Sequence, residues 1–302
     1  GLAYVAISAG SAHSVALRSD GSAVSWGRWR SVRALPAGLQ YVELDAGGNH
    51  TVARQSDQSV VAWGYNGSGQ CGAQVPPAGV TLLALEAGVQ FTLQLRSDGT
   101  LKHWGNCLDG ECNVPALPAG LSYTALSAGD YHGAALRSDG AIVAWGNNGS
   151  GECDVPVLPA GLTYVDVAAG SRHTLARRSD GSVVAWGQND DGQCDVPALP
   201  AALSYVEISA GELYSMARRS DGSAVTWGSI GSAPGLPPGV RYVELAAGLD
   251  HALALRSDSE VVSWGRNVEG QCDVPVLAGG LRYTSIGAGW RFSLAARSDG
   301  SC

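Results

Sequence analysis

The chain has 302 residues, of which 45% are apolar and 15% charged, and its formal net charge is −8. That composition is globular, and no window approaches the ~18 unbroken apolar residues of a membrane-spanning helix. Eighteen of the 19 basic residues are Arg, Lys102 being the one Lys. The acidic balance argues against a nucleic-acid surface, which needs clustered positive charge. Seven Cys cannot all pair within one chain. The opening GLAYVAISAG lacks the basic start and apolar run of a signal peptide, so a processed product or a fragment is expected. The compartment stays open, with a secreted location slightly favoured over the cytoplasm.

Taken in chain order, the first predicted element alternates up to Ala9-Gly10. A second follows His13 and turns at Asp20-Gly21, and a third ends at Trp26-Gly27. The same three then recur. Ala-Gly places its Gly at 47, 88, 129, 170, 211, 248 and 289, and Trp-Gly its Trp at 63, 104, 145, 186, 227 and 264. The spacing is 41 residues except for two steps of 37, where units one and six lose the Gly-Gln-Cys portion after Trp-Gly. Alternation with β-branched and aromatic residues, broken by Asp-Gly, predicts short antiparallel strands. A fourth strand is expected around Val-Pro, at an edge where Pro is tolerated. Four strands in about 40 residues predict an all-β chain, a single β-propeller domain over residues 1–302. The chain ends on an eighth beginning, AGWRFSLAARSDGSC, so Ala-Gly occurs eight times and Trp-Gly seven. Seven blades plus a surplus half-repeat that closes the ring beside the first are expected. An incomplete eight-bladed ring is the alternative.

The repeats act as their own control. Trp recurs in every third strand and is expected to wedge between neighbours. His13, His50, His132, His173 and His251 share a position with Phe91, Tyr214 and Phe292, which cannot serve as equivalent metal ligands. The column is therefore expected to be packing, and no metal or cofactor is expected. Cys71, Cys112, Cys153, Cys194 and Cys272 form another column, expected to be small buried fillers. Cys107 stands where other units have Asn, five residues before Cys112, and the two could be joined in an oxidising compartment. No catalytic set stands outside the columns, so the chain is not expected to be an enzyme.

These units resemble the repeats of the regulator of chromosome condensation superfamily. The short form, with SVVAWG, Gly-Gln-Cys and Asp-Val-Pro, is similar to bacterial members of the inhibitory type. The resemblance implies a propeller and spans nucleotide exchange factors, enzyme inhibitors and plain interaction modules, so it does not fix a function.

Residues after Ala-Gly and after Trp-Gly vary from unit to unit and emerge on one face, whereas the Asp-Gly turns on the opposite face are uniform. A varied loop set on a stiff frame suits recognition of a protein partner, with neither nucleic acid nor membrane insertion expected. The candidate contact residues are Trp29, Arg30, Tyr65, Tyr131, Arg172, Trp290 and Arg291, aromatics and arginines being common interface anchors. In a seven-membered ring units six and one would flank unit seven, gathering Trp29, Arg30 and Trp290 into one sector. Inhibition of a secreted enzyme with a basic rim is the sharper expectation. The alternatives are self-assembly through the half-repeat and a guanine nucleotide exchange factor-like regulator.

Overall fold

The computed structural model describes residues 2–73 and 75–302. It contains 23 strands and, among the described residues, no helix. Unit one is β1 (Tyr4–Ala9), β2 (His13–Arg18) and β3 (Ala23–Gly27); unit two is β4 (Tyr41–Ala46), β5 (His50–Gln55) and β6 (Val60–Gly64). Unit three is β7 (Leu82–Ala87), β8 (Phe91–Arg96) and β9 (Leu101–Gly105); unit four is β10 (Tyr123–Ala128), β11 (His132–Arg137) and β12 (Ile142–Gly146). Unit five is β13 (Tyr164–Ala169), β14 (His173–Arg178) and β15 (Val183–Gly187); unit six is β16 (Tyr205–Ala210), β17 (Tyr214–Arg219) and β18 (Ala224–Gly228). Unit seven is β19 (Tyr242–Ala247), β20 (His251–Arg256) and β21 (Val261–Gly265), and the half-unit is β22 (Tyr283–Ala288) and β23 (Ser293–Arg297).

Each complete unit is one antiparallel three-stranded sheet, and the half-unit is a two-stranded one. Residues pair one-to-one between second and third strands, as in His132↔Gly146 and Leu136↔Ile142. The first strand of every unit carries a bulge just after its opening position, as between Tyr123 and Ala125, which sharpens its twist. The expected fourth strand does not form. The Val-Pro segment is irregular, held mainly by side chains: Tyr123 donates its hydroxyl hydrogen to Pro115 O at 2.7 Å and Tyr164 to Pro156 O at 2.9 Å.

The core lies between sheets. Phe91, Leu93 and Leu95 of unit three pack with Tyr123, Leu126 and Trp145 of unit four, and equivalent clusters fill every interface from units one and two to unit seven and the half-unit. Stacked sheets that each bury an apolar face in this way form a propeller. The first strands line the axis, where all eight Ala-Gly pairs surround a cavity of about 200 Å3. Only glycine fits this ring: a Cβ on Gly129 would stand 2.4 Å from Gly170 O, and one on Gly289 2.6 Å from Gly10 O.

The half-unit neither replaces unit one's first hairpin nor joins its sheet. It takes its own position in the ring, the eighth, with β23 against β1 as β2 lies against β4. Tyr4 N–H donates to Gly300 O at 3.1 Å, the counterpart of Tyr41 N–H to Gly21 O at 2.8 Å, and Trp290 N–H donates to Gly10 O at 3.2 Å. Inner strands set the ring positions, and there are eight of them. Closure in seven positions is thus corrected to eight, and units six and one are separated by unit seven and the half-unit. Units six and one therefore do not both flank unit seven, as a seven-membered ring would require.

Candidate interaction face

In each unit the first strand ends and the third strand ends on the same face, because His132 pairs with Gly146 and Ala128 with Gly133. Trp-Gly leaves the third strand through a positive φ, as at Gly146 (111°), where a Cβ would lie 2.6 Å from Tyr131 O. The following loop is built by its Asn. Asn148 Oδ1 accepts Cys153 N–H at 2.8 Å, and Asn189 and Asn267 do the same for Cys194 and Cys272.

The cysteine column is half-buried rather than fully buried, because each thiol sits against a carbonyl at the loop's surface: Cys153 Sγ is 3.2 Å from Asn147 O and Cys194 Sγ 3.2 Å from Gln188 O. Burial pushes both thiols up to about 12, so they are poor nucleophiles. In unit three Cys107 and Cys112 are joined as a disulfide with Cα atoms 5.0 Å apart, and His103 lies beside them. The disulfide leaves neither sulfur as a thiolate for a metal. The histidine column is buried, and each Nε2 meets the next unit's hydroxyl: His13 to Thr51, His50 to Thr92 and His132 to Thr174 at 2.8 Å, His173 to Ser215 at 2.9 Å. Burial lowers His13, His50 and His173 to about 4 and His132 to about 3.

The structure distributes the candidate residues over three places. At the boundary of units one and two, Trp29 lies 5.9 Å from Tyr65 between ring centroids, its Nε1 donates to Asn49 Oδ1 at 3.3 Å, and the Arg28 guanidinium sits 5.6 Å from its ring. Trp29 and Tyr65 stay 37% and 42% exposed, and Arg30 beside them is exposed. Trp29 also has φ 61°, a left-handed backbone rarely adopted by a bulky residue. At the closure, Trp290 borders the axial cavity at 37% exposure and Arg291 lies 3.5 Å from Glu269. Across units four and five, Ser171 Oγ donates to Asp130 Oδ2 at 2.7 Å, Tyr131 is half-buried and Arg172 is exposed.

Sequence comparison had not singled out the acids at the mouth, Asp130, Glu212 and Asp250. Burial raises the Asp130 carboxyl, and burial with the charges of Asp130 and Asp250 raises Glu212. Arg266 lies 3.5 Å from Asp250. Their signal was weak because the two positions after Ala-Gly vary in every unit: Asp130 and Glu212 stand where others have Ser, Gly, Val, Leu or Trp, and Asp250 where others have Ala, Asn, Gln, Tyr, Arg or Leu. The arrangement is a rigid ring carrying aromatic, arginine and acidic side chains on short loops.

Such a ring of repeated three-stranded sheets defines a β-propeller with a variable face. The model of the regulator of chromosome condensation (RCC1) repeat matches residues 4–28, 41–70, 123–152, 164–193 and 242–271, so these five repeats are of the RCC1 type. Among curated proteins none matches it in sequence. Solved structures similar in fold include the following three. Prp20p from Saccharomyces cerevisiae is 20% identical with a TM-score of 0.64, over 97% of this chain and 82% of that one. The CRINKLY WD40 ectodomain of the Arabidopsis thaliana receptor kinase ACR4 is 22% identical with a TM-score of 0.62, over 88% and 98%. The computationally designed Ika8 protein is 18% identical with a TM-score of 0.54, over 99% and 94%.

Proposed function

We propose that the chain is a non-enzymatic propeller that binds a protein partner through the loops following Ala-Gly and Trp-Gly. The observation that carries this is the exposed aromatic set Trp29, Tyr65 and Trp290 on one face, opposite uniform Asp-Gly turns. Large aromatics held by a stiff frame lose little freedom on binding and supply most of the energy at interfaces. The strained backbone of Trp29 supports the same assignment, since such strain persists where surroundings hold it for a purpose. Prp20p, which has this fold, binds Gsp1p and histones, and that supports a protein partner here. Acids at the mouth favour a partner with a basic rim, such as an enzyme that the chain inhibits.

Affinity capture from native extract tests the proposal, comparing the chain with its Trp29→Ala/Trp290→Ala variant. Loss of an anchor of this kind weakens binding by about 2 kcal/mol, so capture should fall at least about tenfold while the fold is retained. Equal capture by both chains would overturn the assignment of these residues.

A further inference from the structure

Unit three departs from the other units at two positions that are distant from each other in no other respect than sequence. His103, in β9, stands where the others have Ala, Ser or Thr, and Cys107 stands where the other four full-length units have Asn. The fold brings both departures onto one column cysteine. The chain leaves β9 at Gly105, turns back through a positive φ at Gly110 (90°), and returns Cys112 to the strand's end. Unit seven shows where the His103 position faces: its equivalent there, Ser263, donates its hydroxyl hydrogen to Cys272 O at 2.8 Å. In unit three an imidazole nitrogen of His103 and the sulfurs of Cys107 and Cys112 all lie within 4.8 Å of one another. Among the described residues no other three His, Cys, Asp or Glu side chains converge in this way.

Each departure leaves a local bond unmade. The Nδ1 of His103 is buried with no hydrogen-bond partner among the described residues, a state that buried polar atoms rarely keep without a reason. The loop of unit three also lacks its usual tie. In unit four Asn148 Oδ1 accepts Cys153 N–H at 2.8 Å, whereas Cys107 has no oxygen to offer Cys112 N–H. The Cys107–Cys112 disulfide stands in for that hydrogen bond. Once it opens, the loop has two thiols and a nitrogen facing one another and neither tie.

We propose that unit three carries a zinc site that alternates with its disulfide: when the Cys107–Cys112 bond is reduced, Cys107, Cys112 and His103 bind one Zn2+, with water in the fourth position. A dithiol reductant supplies the two electrons and two protons that convert the S–S bond to two thiols, and is itself oxidised to a disulfide. Zn2+ then displaces both thiol protons to solvent, each thiolate giving one electron pair and the neutral imidazole a third. Tetrahedral zinc holds such donors about 3.5–3.8 Å apart, so atoms already within 4.8 Å need only the opened S–S bond and small side-chain shifts. Two thiolates and an imidazole suit Zn2+, not the oxygen-seeking Mg2+ or Ca2+. Cys107 is exposed, which admits both reductant and metal. An oxidising compartment keeps the disulfide, and a reducing one frees the site.

The test uses the whole chain, with Co2+ as a coloured substitute for Zn2+. Treating the folded chain with a dithiol, then removing it, should raise the thiol count read in denaturant from the five free cysteines to all seven. The reduced chain should take up one Co2+ with thiolate charge-transfer absorption, and Zn2+ should bleach it. The oxidised chain, which keeps the other five cysteines, should show no such band. Cys107→Asn and His103→Ala install residues that other units carry at these positions, so the fold is retained. Loss of an outer-shell partner alone costs about 10–100-fold in metal affinity, so each variant, lacking a ligand, should bind at least about a hundredfold more weakly. A disulfide that no dithiol opens in the folded chain, a reduced chain without the band, or equal binding by either variant would overturn the proposal.

Discussion

The histidine column ties neighbouring units together while staying uncharged. His13, His50 and His173 are lowered to about 4 and His132 to about 3 by burial, against 6.5 in the open chain. Between pH 6.5 and 4 the unfolded chain therefore binds more protons than the folded one, so stability rises with pH in that window and is lost on acidification. Each group contributes at most roughly 1.4 kcal/mol per pH unit there. Burial raises Asp45 and Glu86, whose protonation favours the folded state and offsets part of the loss. The denaturant midpoint should fall from pH 7 to pH 4.5, and His132→Gln should flatten that slope; an unchanged midpoint would contradict the assignment. Backbone strain gives a second expectation. Ser259 occupies a turn position with φ 66° where most units have Gly, so Ser259→Gly should raise stability by about 1 kcal/mol, read from thermal unfolding. That the histidines are packing was legible from Phe91 and Tyr214 in the same column. Their hydroxyl partners were not, because each lies about 40 residues on, in the next sheet.

Strands were legible wherever alternation met Asp-Gly or Trp-Gly, since those signals are local. The Val-Pro segment misled because a short apolar run beside Pro reads like an edge strand, whereas its contacts are side-chain ones such as Tyr205 to Pro197 O. The loops after Trp-Gly depend on Asn. Asn148 accepts from Cys153 N–H and donates to Asp154 Oδ1, both at 2.8–2.9 Å. Asn148→Ala should cost about 1 kcal/mol and speed hydrogen exchange in residues 147–154 alone; exchange unaltered in that loop would show that the bonds do not hold it. Among the second strands β23 should exchange fastest, because among the described residues no strand pairs its outer edge.

At the scale of the molecule, eight Ala-Gly pairs against seven Trp-Gly pairs posed the closure question without answering it. Ring size depends on the packing angle between sheets, which no single repeat encodes. The inner strands answer it, and the half-unit stands between unit seven and unit one. That placement sets units six and one two positions apart and spreads the variable loops over eight ring positions, so recognition is expected from a broad face. Hydrogen-exchange footprinting of the chain bound to its captured partner tests this most directly. The account predicts slowed exchange in the loops at residues 28–30, 65–67 and 290–292, with the Asp-Gly turns at 139–140 and 180–181 unchanged. Protection of those turns with the loops left unprotected would contradict it.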